Sequence, residues 1–104
     1  MDRLAFKMKL FPGCAEEYKK RHDEIWPELS ALLKQAGIGG YSIFLDEETN
    51  ILFGFLKAQD RQLLDDLPTH AIMKKWWAYM SDIMQSNPDG SPVSVPLKEM
   101  FYLP

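Results

Sequence analysis

Apolar and polar residues alternate at the start of the chain. Leu4, Phe6, Met8 and Leu10 fall on one side, with Arg3, Lys7 and Lys9 mostly on the other. A period of two over residues 3–11 predicts a β-strand. Pro12-Gly13 breaks it, and Gly13 stands where it can serve as the N-cap of a helix from about Ala15. Glu16 and Glu17 suit the positive end of that helix. Pro27 has no N–H, and its ring clashes with a carbonyl four residues back. A break is therefore expected between Asp23 and Trp26, with Pro27 in the first turn of a second helix. Ile25, Leu29, Leu32, Leu33 and Ala36 form the inward stripe. Gly37, Gly39 and Gly40 are expected to stop this second helix.

Residues 41–45 and 51–58 read as two further strands joined by the polar turn 46–50, an antiparallel hairpin. In the second of them Ile51, Phe53 and Phe55 face one way, and Leu52, Gly54, Leu56 and Ala58 the other. Both faces are apolar, so both need cover. Helices can cover one; in a domain this small, a second copy of the chain is what remains for the other. Residues 60–67 read as a short helix ended by Pro68, and Thr69 as the cap of a helix running to about Met84. Its inward stripe is Ile72, Met73, Trp76, Met80, Ile83 and Met84. A turn-rich loop at 87–92 leads to a last strand at 97–103. The order strand, helices, strand, strand, helices, strand predicts an α+β fold, the ferredoxin-like split βαβ with an antiparallel sheet and helices on one face.

Composition narrows the function classes. The 104 residues have room for one domain, 1–104, and 46% hydrophobic with 26% charged residues is ordinary for a globular protein. The net charge of −3 is scattered and builds no basic stripe, which argues against a nucleic-acid partner. Charges interrupt the N-terminus, unlike a signal peptide, and no apolar run is long enough for a membrane span. Cys14 is the one cysteine, so no internal disulfide forms, which fits a reducing compartment. A cytoplasmic protein is expected.

The candidate chemistry lies in residues 18–29. Tyr18 and His22 are one helical turn apart, so phenol and imidazole can share a face. Histidine exchanges protons near neutral pH. On spacing alone, however, the pair reads as part of a solvated face among Glu16, Glu17, Lys19, Lys20 and Arg21. Trp76-Trp77 is the second unusual feature. Adjacent helical residues point about 100° apart, so one indole can be core while the other faces a cleft. An indole's flat apolar face with an N–H at its edge suits a sugar, whose axial C–H groups make one face apolar. Tyr41 can add a hydroxyl or pack in the core. His22, Glu24 and His70 match no metal-binding spacing, there is no glycine-rich phosphate loop, and Cys14 reads as a small, partly buried filler.

Arg21-His22 followed by Ile25-Trp26-Pro27-Glu28-Leu29 resembles the L-rhamnose mutarotases. So do Trp76-Trp77 with Tyr79-Met80, Asn87-Pro88-Asp89, and the ending Phe101-Tyr102-Leu103-Pro104. The resemblance runs along essentially the whole chain; only the helix start at Gly13-Cys14 departs from the family. It implies a cytoplasmic isomerase that interconverts the α and β anomers of L-rhamnose, built as a homodimeric α+β barrel. By the same resemblance His22 is the proton donor, and Tyr18, Tyr41, Trp76 and Trp77 contact the sugar. No cofactor or metal is implied. The fold also hosts cofactor-independent monooxygenases, and the same aromatic pocket could belong to a non-catalytic sugar-binding module.

Overall fold

The computed structural model describes residues 2–104. Its elements are β1 (Asp2–Lys9), α1 (Ala15–Asp23), α2 (Pro27–Gln35), β2 (Ile38–Asp46), β3 (Ile51–Ala58), α3 (Arg61–Asp66), α4 (Ala71–Met80) and β4 (Val95–Pro96), with a 3-10 turn at Leu67–Thr69. The strands form one antiparallel sheet in the order β2-β3-β1-β4. This is the expected α+β, ferredoxin-like arrangement. β1 sits at the centre because its alternating pattern can be matched on both edges. Its register on β3 sets Leu4 opposite Leu56, Phe6 opposite Gly54 and Met8 opposite Leu52. Those rows face the helices.

Beneath them lies the core. Leu29, Leu52 and Leu10 are the largest fully buried side chains, and Trp76, Met80, Ile83 and Met84 pack into the same cluster. Each such aliphatic side chain stabilises the fold by roughly 1.5–3 kcal/mol on leaving water. Pro27 opens α2, as expected, and the chain breaks at Glu24–Trp26 just before it.

Several boundaries differ from expectation, each for a local reason. The first strand ends at Lys9, and Leu10 forms an isolated bridge to Met84. Cys14, not Gly13, caps α1: Gly13 has φ +79° and turns the chain one residue earlier. Gly37 (φ +79°) does end α2, but Gly39 and Gly40 belong to β2, which starts at Ile38 because Ile38 and Gly39 pair with Ala58 and Lys57. His70 rather than Thr69 stands at the cap of α4. The Thr69 hydroxyl instead donates to the Asp66 carbonyl at 2.6 Å, closing the 3-10 turn. α4 stops at Met80, yet Ile83 and Met84 remain buried. The chain turns there onto the end of β1, where the Phe11 N–H donates to the Ile83 carbonyl at 2.9 Å.

The last strand is only Val95–Pro96, and residues 97–103 are not a strand. Pro92 and Pro96 cannot donate to a ladder. The Leu97 N–H still reaches the Ala5 carbonyl at 2.9 Å. Beyond it Arg3 holds the chain, pairing with Glu99 at 2.7 Å and lying 3.3 Å over the Tyr102 ring.

Candidate active site

A cavity of about 800 Å³ opens between the helices and the inner sheet face, lined by Tyr18, His22, Tyr41, Trp76 and Trp77 among others. All five residues singled out from the sequence therefore meet in one space. His70, by contrast, is exposed at the start of α4 and lines no part of it. Among the described residues no three His, Cys, Asp or Glu side chains are grouped to hold a metal ion.

Tyr18 and His22 do not lie on a solvated face. Tyr18 is 8% exposed and His22 half-buried. Their rings stack at 4.3 Å between centroids, 28° from parallel. Glu16, Lys19 and Lys20 on α1 do point outward, and Lys19 pairs with Asp23 at 3.0 Å, at the rim of the cavity. The periodicity could not separate the two faces, because α1 is short and mostly polar.

His22 is held by two further contacts. Its Nδ1 lies 3.0 Å from the Tyr18 carbonyl oxygen. A carbonyl only accepts, so Nδ1 carries the proton and donates, which leaves Nε2 as the free nitrogen. The Trp76 ring meets the imidazole edge-on at 5.4 Å. Trp76 is 5% exposed and Trp77 half-buried. Trp76 is thus the core member of the pair and Trp77 the more accessible.

Tyr41 reaches the cavity through an irregularity of β2. Gly39 pairs with Lys57 and Ser42 with Phe55, so Gly40 and Tyr41 together stand opposite the single residue Leu56. This bulge lets Ile38 and Tyr41, three residues apart, both line the cavity, which regular alternation forbids. Gly40 supports it with φ +56°. Phe6 braces the Tyr41 ring edge-on at 6.2 Å. Of the clustered glycines 37, 39 and 40, Gly37 alone stops the helix, and Gly39 and Gly40 belong to the bulged strand.

Burial sorts the titrating groups. It pushes the Tyr18 phenol well above the usual range, with Tyr41 nearby adding to the shift. It raises Tyr41 to about 12, although part of that ring is open to solvent at the mouth. Both phenols therefore stay protonated at neutral pH and act as hydrogen-bond donors. Burial lowers the His22 pKa below its ordinary 6.5, outweighing the Tyr18 carbonyl and the Asp23 charge, which favour the proton. Neutral imidazole is thus the resting form.

A pH dependence follows. An activity that uses neutral His22 should be level at neutral pH and fall only below the lowered pKa. In the unfolded chain the histidine has its ordinary value of 6.5 and binds the proton first as pH drops. Stability should therefore decrease from pH 6.5 down to the folded value, then stop changing on this account. Titrating the His22 ring by NMR checks the sign: a folded pKa above 6.5 would overturn both statements.

The fold and cavity define a class: a small ferredoxin-like α+β domain with an aromatic-walled pocket lined by a single histidine. A family model described as L-rhamnose mutarotase matches residues 3–103. The L-rhamnose mutarotase of Sinorhizobium fredii is 58% identical over 103 residues, 99% of each chain. That of Jannaschia sp. is 57% identical over 104 residues, 100% of both chains. The crystal structure of the L-rhamnose mutarotase from Formosa agariphila matches with a TM-score of 0.94 at 57% identity, covering 100% of both. A Mycobacterium tuberculosis protein, Rv0793, shares the fold alone, with a TM-score of 0.62 and 11% identity over 96% of this chain and 95% of its own. The chain belongs to the L-rhamnose mutarotase family.

Proposed function

We propose that residues 1–104 form a single mutarotase domain, an isomerase that interconverts the α and β anomers of L-rhamnose. The observation that carries this reading is the placement of His22. Its Nε2 is unpledged in a cavity walled by Trp76 and Trp77, while Nδ1 is committed to the Tyr18 carbonyl. The family's activity needs one such group and a surface for a sugar.

The chemistry is a proton relocation. Opening the hemiacetal requires the proton on the anomeric hydroxyl to leave and the ring oxygen to gain one as its bond to C1 breaks. The two oxygens share one carbon, so a single nitrogen can serve both. Neutral His22 takes the hydroxyl proton at Nε2 and, as imidazolium, returns it to the ring oxygen. The aldehyde turns about its bond to C2. Ring closure runs the same transfer backwards on the other face of the carbonyl. No electrons change hands, so the step needs no cofactor. Tyr18 and Tyr41, which stay protonated, donate hydrogen bonds to sugar oxygens. Trp76 and Trp77 take the sugar's apolar face.

Saturation-transfer NMR between the two anomeric protons of L-rhamnose tests the reading. Acceleration at catalytic protein levels supports it. Exchange at the buffer rate, with sugar bound by a folded protein, would assign the pocket to a binding module instead. Oxygen consumption with an aromatic substrate would favour a monooxygenase. Trp77→Ala should weaken sugar binding by about 1–3 kcal/mol, in the range of stacked aromatic contacts elsewhere. It should cost less stability than Trp76→Ala, which empties a core position at about 3–5 kcal/mol. Equal melting temperatures for the two variants would overturn this division.

The working unit is a homodimer in which two sheets pack outer face to outer face as an α+β barrel. Support comes from one row across the sheet: Phe44, Phe53, Lys7 and Val95 are successive partners and so share the outer face. Phe44 is 67% exposed there, and Phe101 of the C-terminal segment 80%. Apolar surface on this scale marks an interaction site. Phe53→Asp should convert a dimer into a monomer in sedimentation analysis; a monomeric wild-type protein at micromolar concentration would refute the assembly. A cytoplasmic setting suits the one thiol, Cys14, and among the described residues no helix is long and apolar enough to cross a membrane.

A further inference from the structure

The helix that carries His22 is poorly secured by its own sequence. α1 has nine residues, and a helix of that length is marginal in water. No side chain caps its N-terminus, and Tyr18 is its only buried residue. Tyr18 belongs to the site itself, so something else must hold the helix in place. Arg21 stands next to His22, about 100° further round the helix.

Its guanidinium makes an unusual set of bonds. Nη1 donates to the Tyr79 carbonyl at 2.7 Å and to Asp82 Oδ1 at 2.8 Å. Nη2 reaches Asp82 Oδ2 at 3.3 Å, and Nε donates to Glu17 at 2.8 Å within α1. The Arg21 side chain is only 10% exposed, and its charge lies 4.3 Å over the Tyr79 ring. Tyr79 is in the last turn of α4, where carbonyls lack helical partners and a cation is favoured. Asp82 follows just beyond that helix.

A closed circuit results. Tyr79 meets Trp76 at 5.7 Å and stacks on Trp26 at 5.5 Å, and Trp76 meets both Trp26 and His22. From His22 the backbone returns to Arg21. Neither Arg21, Tyr79 nor Asp82 lines the cavity. We infer that Arg21 is a positioning residue: by clamping α1 to the end of α4 it fixes the His22 ring against Trp76 and so sets where Nε2 meets the sugar. This rests on the mutarotase reading of the site.

The fork geometry matters, since it engages a carbonyl and a carboxylate together. Lysine offers one point charge and cannot replace both sets of bonds. A displacement of the catalytic ring by an ångström can cost about 10²-fold in rate. The sugar contacts proposed for Trp77 and Tyr41 come from α4 and β2, not from the clamped helix.

The experiment compares wild type, Arg21→Gln, Arg21→Lys and Asp82→Asn well below their melting temperatures. It reads kcat and KM by anomer exchange and the aromatic packing by near-ultraviolet circular dichroism. For Arg21→Gln we expect kcat to fall by at least about tenfold, KM to change less than about threefold, and the aromatic signal to alter. Arg21→Lys should recover only part of kcat. Asp82→Asn keeps the Tyr79 and Glu17 bonds and should show a smaller loss of kcat alone. Wild-type kcat in folded Arg21→Gln, or a rise in KM at unchanged kcat, overturns the inference. If Arg21→Gln does not fold, Asp82→Asn decides, because that side chain is exposed: unchanged kcat and an unchanged aromatic signal overturn the clamp. No acceleration by the wild-type protein would reject the mutarotase reading itself, while the aromatic signal still reports on the clamp.

Discussion

Replacing His22 by alanine should leave a folded protein whose catalysed anomer exchange falls ~10²–10⁴-fold, the usual contribution of a positioned acid–base group. The size of the loss follows from the company His22 keeps. Tyr18 and Tyr41 also line the cavity, but burial holds both phenols protonated at neutral pH, so neither can replace the imidazole. Lys19 and Asp23 at the rim are tied to each other at 3.0 Å. Stability should change little in comparison, because His22 is half-buried and belongs to no part of the closed core cluster. Removing the ring also removes the stacking on Tyr18, worth about 0.5–1.5 kcal/mol in other aromatic pairs. Exchange rates from saturation transfer and a thermal melt on the same sample check both halves. An undiminished rate in the folded variant would falsify His22 as the proton carrier.

Gly54→Ala should destabilise the protein by about 1–3 kcal/mol, the usual cost of forcing extra volume into a close-packed site. Nothing in the backbone requires glycine there, since Gly54 does not adopt the left-handed conformation. What requires it is Phe6, its cross-strand partner, the tip of whose ring lies over the glycine. A Cβ at position 54 would come 2.6 Å from Phe6 Cε2 and 3.0 Å from Cε1, and nearer still to Cζ. The ring must then tilt, and it is the ring that braces Tyr41 at the cavity mouth. A melting temperature lower by roughly 4–8 °C per kcal/mol is expected for a domain of this size. Adding Phe6→Leu should restore part of it by withdrawing the ring. If the double variant is the less stable of the two, the clash does not explain the effect.

Much of the candidate site could be read from the chain, though unevenly. Trp76-Trp77 signalled one core indole and one accessible indole, and the structure distinguishes them as Trp76 and Trp77 respectively. His22 and Tyr18 gave an ambiguous signal: one turn of spacing brings the rings together whether the face is wet or buried. In the sequence Arg21 reads with the solvated charges of α1, and nothing local marks it otherwise. Its partners at 79 and 82 are distant in sequence and meet it only when α1 and α4 are packed. The apolar pattern puts Ile83 and Met84 in the core, where they lie, but on α4, which ends before them at Met80. Burial follows the apolar pattern, whereas a helix end depends on where the chain must turn to reach β1.

By itself the sequence determined the element order, the antiparallel α+β sheet and the two-faced third strand. Period two, period 3.6, prolines and turn residues are local properties of a chain, and they act before any tertiary contact forms. It also determined which residue types could carry proton transfer near neutral pH. Only the tertiary structure decided the bulge that places Tyr41, the truncation of the last strand, and the burial that disfavours the charged form of His22. Pairing across strands, desolvation and long-range ion pairs depend on distances between residues far apart in the chain, and those distances exist only once the sheet and helices have closed on one another.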